Sequence, residues 1–308
     1  MSPPGSILTV LMAVHNGEPH LQTAVESILA QHYRDFRFLI VDDASTDRTR
    51  EIIRAADDPR LELLALPRSV GQTAALNIGL RRATTPWIAR MDADDYSAPT
   101  RLAEQMTALS HYPAVRCVGT FVWEFRDDPS IVDVIKSRPV DYEGIKRAAL
   151  CGSGMIHASI VINRKALLDA GAYDERYRYA SDRDMFIRFL DRYQAMNVPK
   201  PLFGIRRHPQ QDSFSLRAAE EYLEICETLL SDGRWSSSER AILRESLAFC
   251  YLFRARCHRR QRQYGPWGRD TVRAVRLSPM LWVRNAAGGL SSRVVPRRRM
   301  GLRVGHGR

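Results

Sequence analysis

Apolar and polar positions follow one another in blocks along the first hundred residues. Residues 7–14 form a continuous apolar run rich in β-branched side chains, which predicts a strand buried on both faces. A turn signal at residues 15–18 ends this strand, and apolar residues then recur at helical spacing over residues 21–31. The same order repeats, with strands predicted at residues 36–41, 61–66 and 87–91. Helices are predicted from a cap at Ser45 or Thr46 to about residue 56, and at residues 71–82.

Strands that alternate with helices over short connections predict an α/β fold, with a mostly parallel sheet flanked by helices on both faces. Ligands of such sheets bind at the carboxyl ends of the strands. Polar residues collect at those ends in this chain, at His15-Asn16, Asp42-Asp43, Arg68 and Asp92-Ala93-Asp94. We therefore expect a polar site along one edge of the sheet.

The middle of the chain is less regular, and its last third is different in composition. Strand-like runs lie at residues 115–125, 132–138 and 159–163, and helices are predicted at residues 165–171 and 182–192. After residue 215 only helices are predicted, at residues 216–230, 238–262 and 268–277, and Ser236 offers an N-cap to the second of them. The pattern predicts a large α/β domain over residues 1–215, a small C-terminal helical region over residues 216–290, and a basic, flexible tail over residues 291–308.

Composition narrows the class of protein. The chain is 44% apolar and 26% charged, as is ordinary for a globular protein. No apolar run approaches the ~20 residues needed to span a bilayer, and the N-terminus lacks the basic region of a signal peptide. The five scattered cysteines form no C-x-x-C pair, which favours reduced thiols without a zinc site. These features predict a cytoplasmic protein.

The net charge of +11 is concentrated in the tail, where six arginines and no carboxylate follow from Arg293 onward. One interpretation is a solvated, disordered end. The other is peripheral contact with an anionic membrane at the inner face, because basic clusters are attracted by roughly 1 kcal/mol per residue. A nucleic-acid partner is not supported, since the chain has no recognition-helix motif and no aromatic-plus-basic RNA signature.

The acidic triplet Asp92-Ala93-Asp94 follows an apolar strand directly. Crowded carboxylates cost free energy unless a cation lies between them. Mg²⁺ and Mn²⁺ take oxygen ligands and bridge to substrate phosphates. The triplet therefore suggests a metal–diphosphate site, although such clusters also occur in surface turns.

Five segments together resemble the inverting family 2 glycosyltransferases with a GT-A fold: TVLMAVHNGE, LIVDDASTDRT, RSVGQTAALNIGL, ARMDADD and ASDRDMFIRFL. The resemblance covers about residues 7–215. It implies transfer of a sugar from a nucleotide-diphospho-sugar to an acceptor hydroxyl in glycan, polysaccharide or glycolipid biosynthesis. The Q-x-x-R-W motif and membrane helices of the processive members are absent from the sequence, which favours transfer of a single sugar onto a saccharide or a lipid-linked acceptor.

The resemblance assigns the donor site residue by residue. Ala13, Val14 and Asn16 would approach the nucleoside with Glu18 close by, and Asp42 would accept from a ring N–H of the base. Arg68 would face the diphosphate or the base, since its guanidinium suits phosphate. Asp92 would contact the ribose or the metal. A UDP-sugar is the first expectation for the donor.

The resemblance also places Mn²⁺ or Mg²⁺ on Asp94, where the ion would neutralise the departing nucleoside diphosphate. His208 lies in a segment that resembles the Y-R-x-H region of the family. It would be a further metal ligand or a phosphate contact, and the alternative is a structural histidine. His157 lies in a segment that often faces the acceptor.

Inverting transfer needs a general base, which the resemblance places at Asp182. Here Ser181 stands where the family has an acidic residue and Arg183 where it has an aromatic one, so Asp184 remains a rival base. Ser181 could still cap the helix, and Arg183 could lower the basicity of Asp182 or bind an anionic acceptor or the phosphate. Residues two apart on a helix point about 200° apart. We expect Asp182 at the inner edge of the helix and Asp184 near solvent or paired with Arg188.

Two other functions are compatible with parts of the sequence. Nucleotidyl transfer on a related fold usually opens with a Gly-rich phosphate loop, which residues 15–18 do not form. A catalytically degenerate nucleotide-sugar-binding or scaffolding protein is the main alternative, because of Ser181 and Arg183. Hydrolysis of the donor would separate the enzyme from the scaffold.

Overall fold

The computed structural model describes residues 5–208, 215–280 and 298–299. Its elements in chain order are β1 (Leu8–Val14), α1 (Leu21–Leu29), β2 (Phe36–Asp42), α2 (Thr49–Ala55), β3 (Leu61–Ala65), α3 (Gln72–Arg82), β4 (Trp87–Met91), β5 (Tyr96–Ser97), α4 (Arg101–His111), β6 (Val115–Phe125), β7 (Ile131–Val132), β8 (Val134–Lys136), α5 (Tyr142–Ala149), β9 (Val161–Asn163), α6 (Arg164–Asp169), α7 (Ser181–Leu190), β10 (Gln194–Arg206), α8 (Leu216–Ser231), α9 (Ser237–Arg260), α10 (Tyr264–Leu277) and β11 (Arg298–Arg299). A 3₁₀ turn, His157–Ser159, precedes β9.

The α/β fold with flanking helices is confirmed, and its main sheet is mixed. The strand order is β3-β2-β1-β4-β9-β6-β10-β5, with β8 also paired to β6. The first four of these strands run parallel. The short β9 is antiparallel to both β4 and β6 and joins the parallel half to the β6–β10 pair. The strands that carry the predicted polar ends therefore lie side by side.

Apolar residues cover both faces of the parallel half, as the continuous apolar runs predict. One core cluster lies between the sheet and α1, and includes Leu8, Val10 and Met12. A second cluster lies on the other face under α3 and α7, and includes Leu11, Leu80 and Phe189. Helix α3 approaches β1 closely at Gly79, where an added Cβ would lie 2.3 Å from Leu11 Cδ1. Only glycine fits there without repacking.

Two predicted helix caps are wrong. Helix α2 begins at Thr49 with Arg48 at its N-cap, so neither Ser45 nor Thr46 caps it. Ser45 Oγ instead accepts a hydrogen bond from the Asn16 backbone N–H, at 2.9 Å. Ser181 is the first residue of α7 and does not cap it either, since Ala180 holds the N-cap position. Ser236 does cap α9, in a capping box with Glu239.

Helices α8 and α9 pack against α7, and α10 packs against α8 and α9. Leu150, Ile187 and Ile225 share one apolar cluster with Trp235 and Leu243, so α5 and α7 contact α8 and α9 directly. Among the described residues no helix is both long and apolar enough to cross a bilayer. Residues 291–297 and 300–308 of the predicted basic tail lie outside the described residues.

Candidate active site

The carboxyl ends of β2, β1 and β4 meet at one edge of the sheet. Val14 pairs with Asp42, and Met12 pairs with Met91. The loops that follow these strands begin within a few residues of those pairs, so His15–Glu18, Asp43–Asp47 and Asp92–Asp94 lie next to each other. We call this the donor edge, and it is where the sequence predicted a polar site.

The first two loops of the donor edge are tied together by side chains. Asn16 has a left-handed backbone, with φ of 53°, and its side-chain oxygen accepts from Thr46 N at 2.9 Å. Glu18 accepts from Arg48 N at 3.2 Å, and Glu18 N donates to Asp47 at 3.0 Å. Asn16 and Glu18 therefore shape the loop that the resemblance assigns to the nucleoside.

Ala13 and Val14 are the last residues of β1, and their side chains are buried. The Val14 carbonyl accepts from Asp43 N at 2.8 Å. These two residues form the floor of the donor edge. Their predicted approach to the nucleoside stays a prediction.

Asp42 is fully buried and already has partners. Its carboxylate accepts from Ser45 N at 3.1 Å and forms an ion pair with Arg50 of α2. Arg50 is about one-third exposed and also donates to the Leu66 carbonyl. A nucleobase that reaches Asp42 must therefore displace Arg50 or contact Arg50 as well. No local sequence pattern pointed to Arg50, because it lies eight residues beyond its partner.

Asp43 has a structural role in the same edge. Its carboxylate accepts from Ser69 Oγ at 2.9 Å, Val70 N at 2.7 Å and Gly71 N at 2.9 Å. These donors lie just before α3, so Asp43 takes the place of a side-chain cap for that helix. A negative charge there also complements the helix dipole.

Arg68 lies in the loop between β3 and α3, and its side chain is exposed. Across residues 5–208 and 215–280, its guanidinium has no hydrogen-bond or ion-pair partner. A free guanidinium beside the donor edge fits the predicted contact with a diphosphate.

Asp92 is held by Arg90, the fully buried arginine of β4, at 2.5 Å. Arg90 also donates to the carbonyls of Leu11 and Met91. The Asp92 side chain remains 28% exposed. Buried Arg90 therefore holds one side of the Asp92 carboxylate, and the other side is open to solvent.

Asp94 and His208 meet directly, with His208 Nε2 and Asp94 Oδ2 3.0 Å apart. His208 Nδ1 is buried and has no hydrogen-bond partner among the described residues. The His20 ring packs on the His208 ring, with centroids 4.9 Å apart. The structure thus brings together the two residues that the sequence predicted as metal ligands, although they are 114 residues apart.

Arg206 supports this pair from β10. Its Nε donates to the Asp94 carbonyl at 2.9 Å, and its backbone N–H donates to Asp95 at 2.9 Å. Burial, together with the charges of Asp94 and Asp92, raises the pKa of Asp95 well above its usual range. The sequence analysis assigned a role to His208 in this segment but none to Arg206, two residues earlier.

The donor set fits a divalent cation in part. Asp94 offers oxygen, His208 offers a ring nitrogen, and Asp92 offers an exposed oxygen nearby, which are atoms that Mn²⁺ accepts. Within residues 5–208, 215–280 and 298–299 no three His, Cys, Asp or Glu side chains converge as a complete metal site. A cation here would need further ligands from substrate phosphates or water.

Asp182 lies in the first turn of α7 and is half-buried. One carboxylate oxygen accepts from Arg183 N at 2.7 Å. Burial raises the pKa of Asp182, and the charge of nearby Asp92 raises it further, whereas Arg183 lowers it. A carboxylate with a raised pKa beside the donor edge suits a general base.

Asp184 is paired with Arg188, as expected. It forms an ion pair with Arg188, with Arg188 Nη2 at 2.6 Å and Nε at 2.9 Å. Two short bonds from one guanidinium hold this carboxylate along the outer face of α7.

Arg183 does not reach an acceptor or a phosphate. It is 4% exposed and points into the C-terminal helices, where Nη2 donates to Leu150 O at 2.6 Å, Ser246 Oγ at 2.8 Å and Cys226 Sγ at 3.2 Å. The suggestion that Arg183 binds an anionic acceptor is therefore wrong. Arg183 instead anchors α7 to α8 and α9.

His157 lies behind α7. Its Nε2 is 2.8 Å from the Tyr173 hydroxyl, and its ring packs edge-on against Phe186. Burial lowers the pKa of His157 well below its usual range, and the charge of Arg90 lowers it further. The neutral ring packs beneath the site, and its expected contact with the acceptor stays a prediction.

The mixed sheet with flanking helices and an acidic strand edge is the arrangement of the GT-A glycosyltransferases. The model of the family described as glycosyl transferase family 2 matches residues 9–171. The chain belongs to glycosyl transferase family 2.

Among curated proteins, the putative glycosyltransferase EpsE of Bacillus subtilis is 30% identical over 220 residues, which cover 70% of this chain and 77% of EpsE. The amylovoran biosynthesis glycosyltransferase AmsE of Erwinia amylovora is 26% identical over 65% of this chain and 76% of AmsE. WfaP of Escherichia coli, named as a UDP-Glc:alpha-D-GlcNAc-diphosphoundecaprenol beta-1,3-glucosyltransferase, matches over a shorter stretch. It is 32% identical over 100 residues, which cover 32% of this chain and 40% of WfaP.

Solved structures support the fold. TarS 1–349 of S. aureus in complex with UDP superposes with a TM-score of 0.64 at 16% identity, over 92% of each chain. The mannosyltransferase PcManGT of Pyrobaculum calidifontis, in complex with GDP-Man and Mn²⁺, superposes with a TM-score of 0.62 at 20% identity. The match covers 92% of this chain and 81% of PcManGT.

Proposed function

We propose that this glycosyltransferase moves one sugar from a nucleotide-diphospho-sugar, with a UDP-sugar as the first candidate, to a hydroxyl of a saccharide or lipid-linked acceptor in polysaccharide or glycolipid biosynthesis. The configuration at the sugar inverts, and Asp182 is the general base. The observation that carries the proposal is the position of Asp182, half-buried and close enough to Asp92 for that charge to raise its pKa. A chain of contacts supports this proximity, because Ser181 Oγ lies 3.3 Å from Thr73 Oγ1 of α3, and Asp43 of the donor edge holds the start of α3.

Each residue of the site has a defined task. The loop shaped by Asn16 and Glu18 receives the nucleoside, with Asp42 and Arg50 at its base. Arg68 contacts the diphosphate. Asp182 accepts the proton of the acceptor hydroxyl as the new bond to the sugar forms and the bond between sugar and phosphate breaks, so that the proton ends on the Asp182 carboxylate.

Asp94 and His208 would hold Mn²⁺ or Mg²⁺, with Asp92 close by. A bound divalent cation would neutralise charge on the departing nucleoside diphosphate. The unpartnered Nδ1 of His208 and the direct contact of His208 with Asp94 support this assignment, as does the Mn²⁺ present with PcManGT.

Relatives support the choice of substrates. AmsE is named for amylovoran biosynthesis, and WfaP is named for transfer onto a diphosphoundecaprenol acceptor. The two structural neighbours hold UDP and GDP-Man. A thermal-shift screen of UDP-, GDP- and dTDP-sugars with and without Mn²⁺ tests the donor, because a ligand that binds only the folded state raises its apparent stability.

The metal assignment is tested with Asp94→Ala. We expect this variant to lose Mn²⁺-dependent binding of UDP and to keep its fold, since Asp94 is 31% exposed at the end of a strand. Binding is measured by calorimetry with and without Mn²⁺, and bound Mn²⁺ by electron paramagnetic resonance.

Glu143→Ala serves as the control, because Glu143 is an exposed carboxylate on α5, away from the donor edge. Unchanged Mn²⁺-dependent affinity in Asp94→Ala would show that the metal site is elsewhere. Absence of sugar release from every donor by the wild-type protein would favour the scaffolding alternative.

A further inference from the structure

Helix α7 begins without a capping side chain of its own. Ala180 occupies the N-cap position, and an alanine side chain accepts no hydrogen bond. Helix starts leave backbone N–H groups that need partners. The C-terminal helical region supplies a side-chain partner to the backbone just before this helix, at residues 178–180.

Glu221 of α8 supplies that partner. Its carboxylate accepts from the backbone N–H groups of Arg178 at 3.0 Å, Tyr179 at 2.6 Å and Ala180 at 3.0 Å. Glu221 is 6% exposed, and its nearest cation, Arg217, lies 3.4 Å away with a side chain 66% exposed. The buried charge of Glu221 is therefore held mainly by three backbone donors.

Charge-assisted hydrogen bonds of this kind are about twice as strong as neutral ones. A negative charge before the first turn also complements the positive end of the helix dipole. The segment that Glu221 holds ends at Ala180, two residues before Asp182. The carboxylate thus fixes the backbone from which the proposed base projects.

Asp182 is fixed from its other side by the same region. Arg183 follows it directly and is bound by Ser246 and Cys226 of α9 and α8. Residues before the C-terminal helices add contacts of their own: Thr73 Oγ1 of α3 donates to Tyr177 O at 2.9 Å and lies 3.3 Å from Ser181 Oγ, and Arg183 donates to Leu150 O. The C-terminal helices nevertheless hold the chain on both sides of Asp182, through Glu221 before it and Arg183 after it.

We propose that Glu221 is a positioning residue for the general base. Through the three backbone N–H groups before α7, it holds Asp182 in the orientation that meets the acceptor hydroxyl. The proposal rests on the proposed role of Asp182 as base. Displacement of a reacting group by about 1 Å costs up to 10²-fold in rate, so loss of this hold should appear in turnover.

Glu221→Gln tests the proposal because it keeps the shape of the side chain and turns one acceptor oxygen into an N–H₂ group that faces N–H donors. We expect kcat to fall at least ~10-fold with the KM for the donor unchanged. Amide hydrogen exchange at residues 178–180 should become faster. The acid limb of the pH profile should remain, since Asp182 is still present.

Glu220→Gln is the matched control, because Glu220 is the exposed neighbour on the same helix and undergoes the same chemical change. It should leave turnover and exchange unchanged. Glu221→Asp keeps the charge with a shorter reach, and we expect an intermediate loss of kcat. This variant decides the question if Glu221→Gln does not fold.

The result must be compared with Asp182→Asn. Full turnover and unchanged exchange in Glu221→Gln, together with loss of turnover in Asp182→Asn, would overturn the positioning role and leave the base assignment intact. Full turnover in Asp182→Asn would overturn both. A loss of donor affinity equal to the loss of kcat would also overturn the positioning role, because Glu221 would then support the whole site and not the base alone.

Discussion

The donor edge and the start of helix α7, which carries the proposed base, are held by different parts of the chain. At the donor edge, loops that lie within the first hundred residues hold one another, as in the contacts of Asn16 with Thr46 and of Asp43 with Gly71. At the start of α7, the main partners are Glu221 and Ser246, which lie 41 and 63 positions beyond the residues they contact. The donor edge is held mainly by loops and strands of the sheet itself, and the start of α7 mainly by a separate group of helices.

This difference separates binding from chemistry. Changes at the donor edge should alter donor affinity and stability together, because the side chains that build the loops are also those proposed to contact the nucleotide. Changes around α7 should alter turnover while donor affinity stays the same. The following predictions test that division, beginning with the largest effect.

Asp182→Asn should lower turnover by at least ~10²-fold, the low end for loss of a general base, with little change in donor affinity. Asp184→Asn should cost much less, because Asp184 is bound to Arg188. Steady-state kinetics on a competent acceptor, with donor affinity from calorimetry, give both numbers. The opposite ranking of the two variants would place the base on Asp184.

Asp43→Ala should destabilise the donor edge. Its removal leaves Ser69 Oγ and the N–H groups of Val70 and Gly71 without their acceptor, and loss of such a cap at the start of a helix costs about 0.5–2 kcal/mol. We expect a lower free energy of unfolding in urea and weaker binding of the nucleoside diphosphate.

Amide exchange at residues 178–180 provides the internal control for Asp43→Ala. It should not change, since Glu221 and not the donor edge holds that segment. Faster exchange there would show that the two regions are coupled and that the division fails.

The smallest effect concerns stability and pH. Because the pKa of Asp182 is raised in the folded protein, its ionised form is disfavoured there. The stabilising contribution is present below the unfolded pKa of about 4 and is lost as pH rises through the folded value. Asp182→Asn should therefore have a Tm equal to or above that of the wild type at pH 7, with the difference vanishing near pH 4 and below.

Thermal melts of the two proteins from about pH 3 to pH 8 measure this difference. The same pKa shift should move the acid limb of kcat/KM above the ordinary range of aspartate, because the base must be ionised. A Tm of Asp182→Asn below wild type at pH 7 would indicate that the carboxylate is a stabilising group rather than a strained one.

Local pattern predicted most of the donor edge. Strand β4 and its acidic end at Asp92 follow directly from the change from apolar to acidic residues, and the register of the parallel strands then brings the polar ends together. The pair Asp94 and His208 required the family resemblance, since 114 residues separate them. The contact between Asp184 and Arg188 follows from their spacing of four on one helix.

The parts that sequence did not predict depend on long-range packing. Most of strand β10 was not recognised, because Pro199 and Pro201 interrupt it, and the structure accommodates them with register shifts against β6. Arg183 was considered as a substrate contact, because nothing nearby in sequence shows that Cys226 and Ser246 enclose it. Glu221 carries no local signal at all, since an acidic residue on a predicted helix is ordinarily exposed.

The hold of Glu221 on the start of α7 also bears on how the enzyme becomes active during synthesis. A nascent chain that has just passed residue 208 would contain the strands, the acidic triplet and His208, and so every part of the donor edge. Its α7 would still lack the acceptor that α8 provides and the enclosure of Arg183 by α9. Sugar transfer would therefore be slower until translation has passed Ser246, and the order of residues along the chain would by itself keep incomplete chains less active.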